Sequence, residues 1–314
     1  MKKKILIVGG TGFLGYHLAK KCLSKNWSVT SISTHKPKKI RYLPKVKYLI
    51  LDISKKNLIE KKIKFSYDYV VNFGGYVNHN EKFKTYKSHY IGCKNLVDFF
   101  LDKNIKFFIQ IGSCVEYGFN KSPQNENNNT DIKKLNSTYG KSKLAATNYL
   151  IKNYKEKKFP CVILRLYLVY GPRQDLNRFI PLVIKGCLEK SSFPCSSGKQ
   201  YRDFLYIDDF IKSIFVILKN KNAIGEVWNI GSGRPKNIKK IIFLLKGLIK
   251  SGDPIFSELK MRKDEILKLY PSITKIKKKL KWQPKVNFIT GIQKTISFYK
   301  KNLHFYKFKS IKKQ

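Results

Sequence analysis

Lys4-Ile5-Leu6-Ile7-Val8-Gly9-Gly10-Thr11-Gly12-Phe13-Leu14-Gly15 is the stretch that decides the fold. A short apolar run ends in glycines and passes directly into a segment of helical periodicity over residues 13–25. Gly9 and Gly12 let the backbone turn and approach a pyrophosphate. Gly15 lets the helix pack closely on the strand. The helix N-terminus, at Phe13 and Leu14, then faces the phosphate charge. A glycine-rich turn is weak evidence by itself. Between a first strand and a first helix it reads as a dinucleotide fingerprint.

Working outward, apolar runs at 28–33, 46–51, 67–73, 105–111 and 161–166 alternate with segments of helical length, clearest at 81–101 and 138–154. The pattern predicts an α/β Rossmann-type fold, a doubly wound parallel sheet covered on both faces. Beyond Gly171 the elements shorten, punctuated by Pro172, Pro181, Pro194, Pro235, Pro254, Pro271 and Pro284. The expected division is a dinucleotide-binding domain over 1–170 and a smaller C-terminal α/β substrate lobe over 171–314. One strand, 226–230, is expected to return to the main sheet.

With 314 residues and 42% apolar content, overall disorder is excluded. No apolar run approaches the ~18 residues of a membrane helix, and the run after the N-terminal lysines is too short for a signal peptide. A soluble, cytoplasmic protein without a membrane partner is expected. Six cysteines without a CxxC pair predict neither zinc nor disulfides, and the five histidines show no metal-ligand spacing. Lys plus Arg is 65 and Asp plus Glu is 20, a net charge of +45. Only seven of the cations are Arg, and the lysines are spread along the whole chain. The charge therefore reads as solvated surface that attracts anionic substrates rather than as a specific nucleic-acid interface.

Cofactor choice turns on the end of the second strand, where an acidic residue accepts the ribose hydroxyls of NAD. Here that position is Ser33, followed by Lys36, Lys38, Lys39 and Arg41. The missing carboxylate and the bases predict NADP(H), with NAD(H) as the alternative. Tyr139 and Lys143 are four residues apart at the start of a helix and so share a face. A phenol with a pKa of about 10 is a poor proton carrier at neutral pH, and a neighbouring ammonium draws it toward the working range.

The ordered motifs resemble those of the extended short-chain dehydrogenase/reductases, the group of nucleotide-sugar epimerases, dehydratases and reductases. After the glycine loop come Asp52-Ile53, Phe73-Gly74-Gly75, Gly112-Ser113 and Tyr139 with Lys143. LRLYLVYGP (164–172), RDFLYIDD (202–209), WNIGSG (228–233) and LKWQPK (280–285) follow. The resemblance implies that Ser113 binds the substrate oxygen, Tyr139 transfers the proton, and Lys143 holds the nicotinamide ribose and tunes Tyr139. It implies that Asp52, Ile53, Phe73, Gly74 and Gly75 line the cofactor. Arg202 and Arg262 would grip the diphosphate of a nucleotide-sugar substrate, with Asn177 and Cys114 as further contacts. A homodimer paired through 81–101 and 138–154 is also implied. Asp208 and Asp209 are expected to cap the helix that follows them.

The residues after Ser113 separate the chemistries. Dehydratases of this group carry a catalytic Glu two residues after the Ser or Thr, often preceded by Asp; here Cys114 and Val115 stand there. Glu116 falls on the opposite face of an extended chain, and only a helical turn from Cys114 would bring it back. GSCVEYG instead looks like the form in reductases of 4-keto-6-deoxy sugar nucleotides, which implies NADPH-dependent 4-keto reduction. Leu168 departs from the group's frequent Asn or Gln. An epimerase returning its hydride internally is the alternative. A dehydratase, an idle NADP-binding sensor and a nucleic-acid-binding protein are less favoured.

Overall fold

The computed structural model describes residues 2–261 and 265–306. Its centre is a seven-stranded parallel sheet formed from β1 (Lys4–Val8), β2 (Ser28–Ser33), β3 (Val46–Ile50), β4 (Tyr69–Asn72), β5 (Phe107–Ser113), β6 (Cys161–Leu166) and a late strand, β11 (Val227–Ile230). The order across the sheet is β11-β6-β5-β4-β1-β2-β3. Between β6 and β11 lie β7 (Leu168–Tyr170), β8 (Ser192–Pro194), β9 (Tyr201–Arg202) and β10 (Phe204–Tyr206). After β11 come β12 (Lys236–Asn237), β13 (Asp253–Ile255) and β14 (Lys268–Leu269). These short strands form three small sheets.

The helices of the first part are α1 (Phe13–Leu23), α2 (Lys56–Lys62), α3 (Lys82–Tyr86), α4 (Gly92–Phe100) and α5 (Thr138–Lys157). Those of the second are α6 (Phe179–Leu188), α7 (Ile207–Ile217), α8 (Ile238–Ile249), α9 (Thr274–Leu280) and α10 (Phe288–Lys301).

Alternation along β1 explains the layers. Ile5 and Ile7 enter one core with Leu18, Ala19 and Cys22 of α1 and Phe210 and Ile214 of α7. Leu6 and Val8 enter the other with Cys93, Leu96 and Val97 of α4 and Ala146 and Leu150 of α5. A strand buried on both faces has no polar side, so its sequence is continuously apolar. β1 lies between β2 and β4, so the strand order reverses there and opens a crevice at the strands' carboxyl ends. The late strand does return: Val227 to Ile230 pair in parallel with Ile163 to Leu166.

Three expectations need correction. The helix anticipated over 81–101 is α3, a π-helical turn at Lys87–Ile91, and α4. That turn buries His89 toward the crevice, a use typical of π turns. Asp208 and Asp209 do not cap α7, which has no side-chain cap. Asp209 is buried, and its carboxylate accepts the backbone N–H groups of Lys285 and Val286 at 3.0 and 2.7 Å, tying the segment before α10 to α7. Arg41 is buried against Asp175, which also receives Lys38 at 2.7 Å, so these two bases form a structural ion cluster. All six cysteines are buried and unpaired. Among the described residues no helix is long and apolar enough to cross a membrane.

Candidate active site

The glycine loop is built from backbone. The Gly9 N–H donates to the Ile32 carbonyl at 2.7 Å and the Gly12 N–H to the Gly9 carbonyl at 3.0 Å, with Gly9 at φ 75°. A Cβ on Gly15 would lie 2.4 Å from the Gly9 oxygen, so only glycine lets α1 sit against this turn. Gly12 begins α1 without a side-chain cap, leaving the first-turn amides of Phe13 and Leu14 for an anion.

Ser33 ends β2 beside this loop. Its hydroxyl donates to the Ile32 carbonyl at 2.7 Å and accepts the Thr11 N–H at 3.3 Å. Lys36 is exposed just beyond, whereas Lys38 and Arg41 are engaged by Asp175. Across the crevice, Asn72 accepts the Gly74 N–H at 2.9 Å and donates to Gln110 at 2.7 Å. Phe73 and Gly74 are thereby held against Gly9, whose added Cβ would lie 3.0 Å from the Phe73 carbonyl carbon. Ile53 is buried where Gly74 and Gly92 make room for it. Asp52 accepts the Ser54 N–H at 2.8 Å, which shapes the turn after β3. Gly75 leaves space for His89, whose ring would be only 1.9 Å from a Cβ there.

Ser113, Tyr139 and Lys143 come together at the carboxyl end of β5. The Ser137 side chain caps α5 by accepting the Gly140 N–H at 3.0 Å, which places Tyr139 and Lys143 in its first turns. Contrary to the expected lowering by Lys143, burial pushes the Tyr139 phenol up to about 12, and its hydrogen bond with Ser113 only opposes the shift. The Lys143 ammonium lies 5.8 Å from the Tyr139 ring centroid and donates to the Ile111 carbonyl at 2.7 Å. Burial pulls this lysine down to about 8, leaving it mainly charged at neutral pH.

Glu116 takes an unexpected position. A 3-10 turn over Cys114–Tyr117 does form, capped by Ser113, yet it does not deliver the carboxylate to the crevice. Glu116 is fully buried, accepts the Ser113 N–H at 2.7 Å and the Thr147 hydroxyl at 2.8 Å, and pairs with Arg165 at 2.9 Å. Arg165, in the apolar strand β6, is itself buried. These three partners satisfy the buried carboxylate by hydrogen bonding and ion pairing.

From the second part, Arg202 is drawn beside Cys114, within electrostatic reach, and is paired with Glu265. Asn177 and Arg178 stand exposed ahead of α6, and Arg178 is the one whose charge reaches Tyr139. Leu168 is 43% exposed on β7. Arg262 lies outside the described residues. Among the described residues no group of His, Cys, Asp or Glu is arranged to hold a metal.

Sequence reasoning passed over His79 and His89, because metal spacing was the only signal sought in the histidines. His79 stacks on Tyr139 with ring centroids 3.9 Å apart and planes 10° apart. His89 meets the same ring edge-on at 4.9 Å. Their proximity to an Asn-Phe-Gly-Gly turn was the available clue.

Relatives carry several chemistries on this frame. Human dTDP-D-glucose 4,6-dehydratase is 28% identical over 97% of this chain and 92% of its own length. CDP-abequose synthase of Salmonella muenchen is 26% identical over 95% and 98%. The crystal structure of UDP-glucose 4-epimerase from Thermotoga maritima with UDP-glucose superposes with a TM-score of 0.89 at 25% identity, covering 96% of this chain and 99% of that one. Residues 5–231 match the model of the NAD dependent epimerase/dehydratase family. With its glycine loop, parallel sheet and Ser113-Tyr139-Lys143 cluster, the chain is a member of that family of nucleotide-sugar enzymes.

Proposed function

We propose that this protein reduces a nucleotide-linked 4-keto-6-deoxyhexose with NADPH. The observation that carries the reading is the burial of Glu116 against Arg165, which withdraws the carboxylate a dehydratase would use. Tyr139 carries its proton and is hydrogen-bonded to Ser113, which places a donor where the 4-keto oxygen would gain charge as hydride arrives. In this reading Ser113 binds that oxygen and Lys143 keeps a positive charge beside the developing phenolate. NADP(H) would supply the hydride. Its pyrophosphate would lie on Gly9, Gly12 and the first turn of α1, and its 2′-phosphate near Ser33 and Lys36. Arg202 and Arg262 would hold the substrate diphosphate, with Asn177 and Cys114 lining the sugar site.

The division into a cofactor part over 1–170 and a mainly substrate-binding part over 171–314 belongs to this proposal. So does a homodimer through α3, α4 and α5. Phe83 and Tyr86 of α3 are 68% and 42% exposed, whereas Leu144, Ala146 and Leu150 of α5 are consumed by the core. Sedimentation at moderate salt is expected to show a dimer; a species of one chain's mass at micromolar concentration would remove that element.

The likeness to UDP-glucose 4-epimerase supports a second reading, epimerisation with the hydride returned to the same sugar. A panel of 4-keto-6-deoxy nucleotide sugars incubated with NADPH decides between them. Loss of reduced-nicotinamide absorbance with one panel member is expected. No loss with any member, alongside interconversion of a nucleotide hexose at C4, would establish the epimerase.

A further inference from the structure

Tyr139 is the second residue of α5. A helical side chain ordinarily lies over the turn that precedes it, and this residue has no such turn. Its ring orientation must come from elsewhere. Two imidazoles supply it: His79 covers the face, and His89 stands against the edge with the planes 73° apart. The two imidazoles are themselves 5.8 Å apart at 71°, so the three rings form one cluster.

The cluster is anchored. His89 is 6% exposed, and its Nε2 lies 3.1 Å from the Tyr76 carbonyl, to which it donates in the matching tautomer. The Tyr76 N–H donates to the Ser88 hydroxyl at 2.8 Å, and its phenol donates to Glu81 at 2.6 Å. The loop carrying His79 is thus fastened to the π-helical turn on one side and to α3 on the other. His79 itself is exposed apart from this stack, so it contributes little to the core.

We propose that His79, acting with His89, is a positioning residue that fixes the Tyr139 ring so that its hydroxyl meets Ser113 and the substrate oxygen. The proposal rests on the reading of Tyr139 as the proton carrier. The charged and titratable groups facing His79 are Arg178 from the segment before α6, Lys143 from α5, and His89 and Tyr139 themselves. Loss of solvation under the stacked rings, then Arg178 and Lys143, hold His79 below its ordinary value of 6.5, so the covering ring is neutral at pH 7. Acidification places an imidazolium against the phenol face.

The test replaces Tyr139 by genetically encoded 3-fluorotyrosine in the full chain and follows the fluorine resonance by NMR from pH 8 to pH 5. Wild type is expected to show a ring-current-displaced signal and a titration step below pH 6.5. His79→Phe keeps a stacked ring and is expected to retain the displacement while losing the step. His79→Ala is expected to lose both, with the NADPH dissociation constant unchanged. A resonance indifferent to His79→Ala overturns the proposal. Full turnover by Tyr139→Phe would instead sink the proton-transfer reading and leave the fluorine result standing.

Discussion

The two halves of the crevice are made differently. The proposed cofactor side is a backbone device: Gly9, Gly12 and Gly15 shape it, and its first-turn amides would face the cofactor's phosphates. The proposed catalytic side is a side-chain device that gathers Ser113, Tyr139, Lys143, His79 and His89 from β5, α5, the loop after β4 and the π-helical turn. The first depends on what residues lack, and neighbours in sequence suffice to build it. The second depends on what residues carry, and distant elements must meet before any chemistry exists. Substitutions should therefore separate cofactor binding from turnover.

The largest effect is expected at the phenol. Tyr139→Phe should lower kcat by about 10²–10⁴ while leaving NADPH affinity nearly unchanged, because the hydroxyl matters chiefly when charge develops on the substrate oxygen. Calorimetry beside turnover measurements checks the split, and a parallel loss of affinity would blur the two halves.

Next comes the support beneath the catalytic side. Arg165→Met leaves Glu116 buried without its cation and should cost about 3–5 kcal/mol of stability, measured by urea denaturation. A stability within 1 kcal/mol of wild type would show that Glu116 is not held as described.

Acid should weaken the fold through buried imidazoles. His17, mainly through burial, is pulled down to about 4, and His89, for the same reason, to about 2. Each unfolded imidazole gains its proton near pH 6.5 while the folded one does not, so stability falls as pH drops below 6.5. The loss through His17 levels off near pH 4, and that through His89 continues toward pH 2. The combined loss should be on the order of 5 kcal/mol by pH 4.5. His17→Gln should flatten part of that slope in melts at pH 5 and pH 7.5; an unchanged slope would contradict the assignment.

On the cofactor side, Gly15→Ala should weaken NADPH binding by on the order of tenfold or more, since its Cβ would press on the Gly9 oxygen and reopen the turn. Ser33→Asp should be the mildest change, moving preference from NADPH toward NADH by on the order of tenfold through repulsion of the 2′-phosphate. Tighter NADH than NADPH binding by wild type would reverse the reading of β2.

The same contrast explains what could be read in advance. The glycine loop and the alternating apolar runs are local patterns, so the sheet, its first helix and the glycine turn between them were legible. Tyr139 and Lys143 share one helical face and were legible for the same reason. Glu116 was not: its face depended on whether Ser113 caps a turn, and its partner Arg165 is 49 residues away. Asp209 presented two acids at a helix start, yet its carboxylate is used by backbone groups 76 and 77 residues later. Lys38 and Arg41 appeared poised for a phosphate until Asp175, from beyond β7, claimed them.

The central claim is that hydride leaves the cofactor for the sugar and stays there. It is tested most directly with NADPH deuterated at nicotinamide C4, on the hydrogen this protein transfers, and a 4-keto-6-deoxy nucleotide sugar. The account predicts one deuterium at sugar C4 and one oxidised cofactor per product formed. Recovery of the label in the cofactor, with sugar configuration changed and no net oxidation, would contradict it.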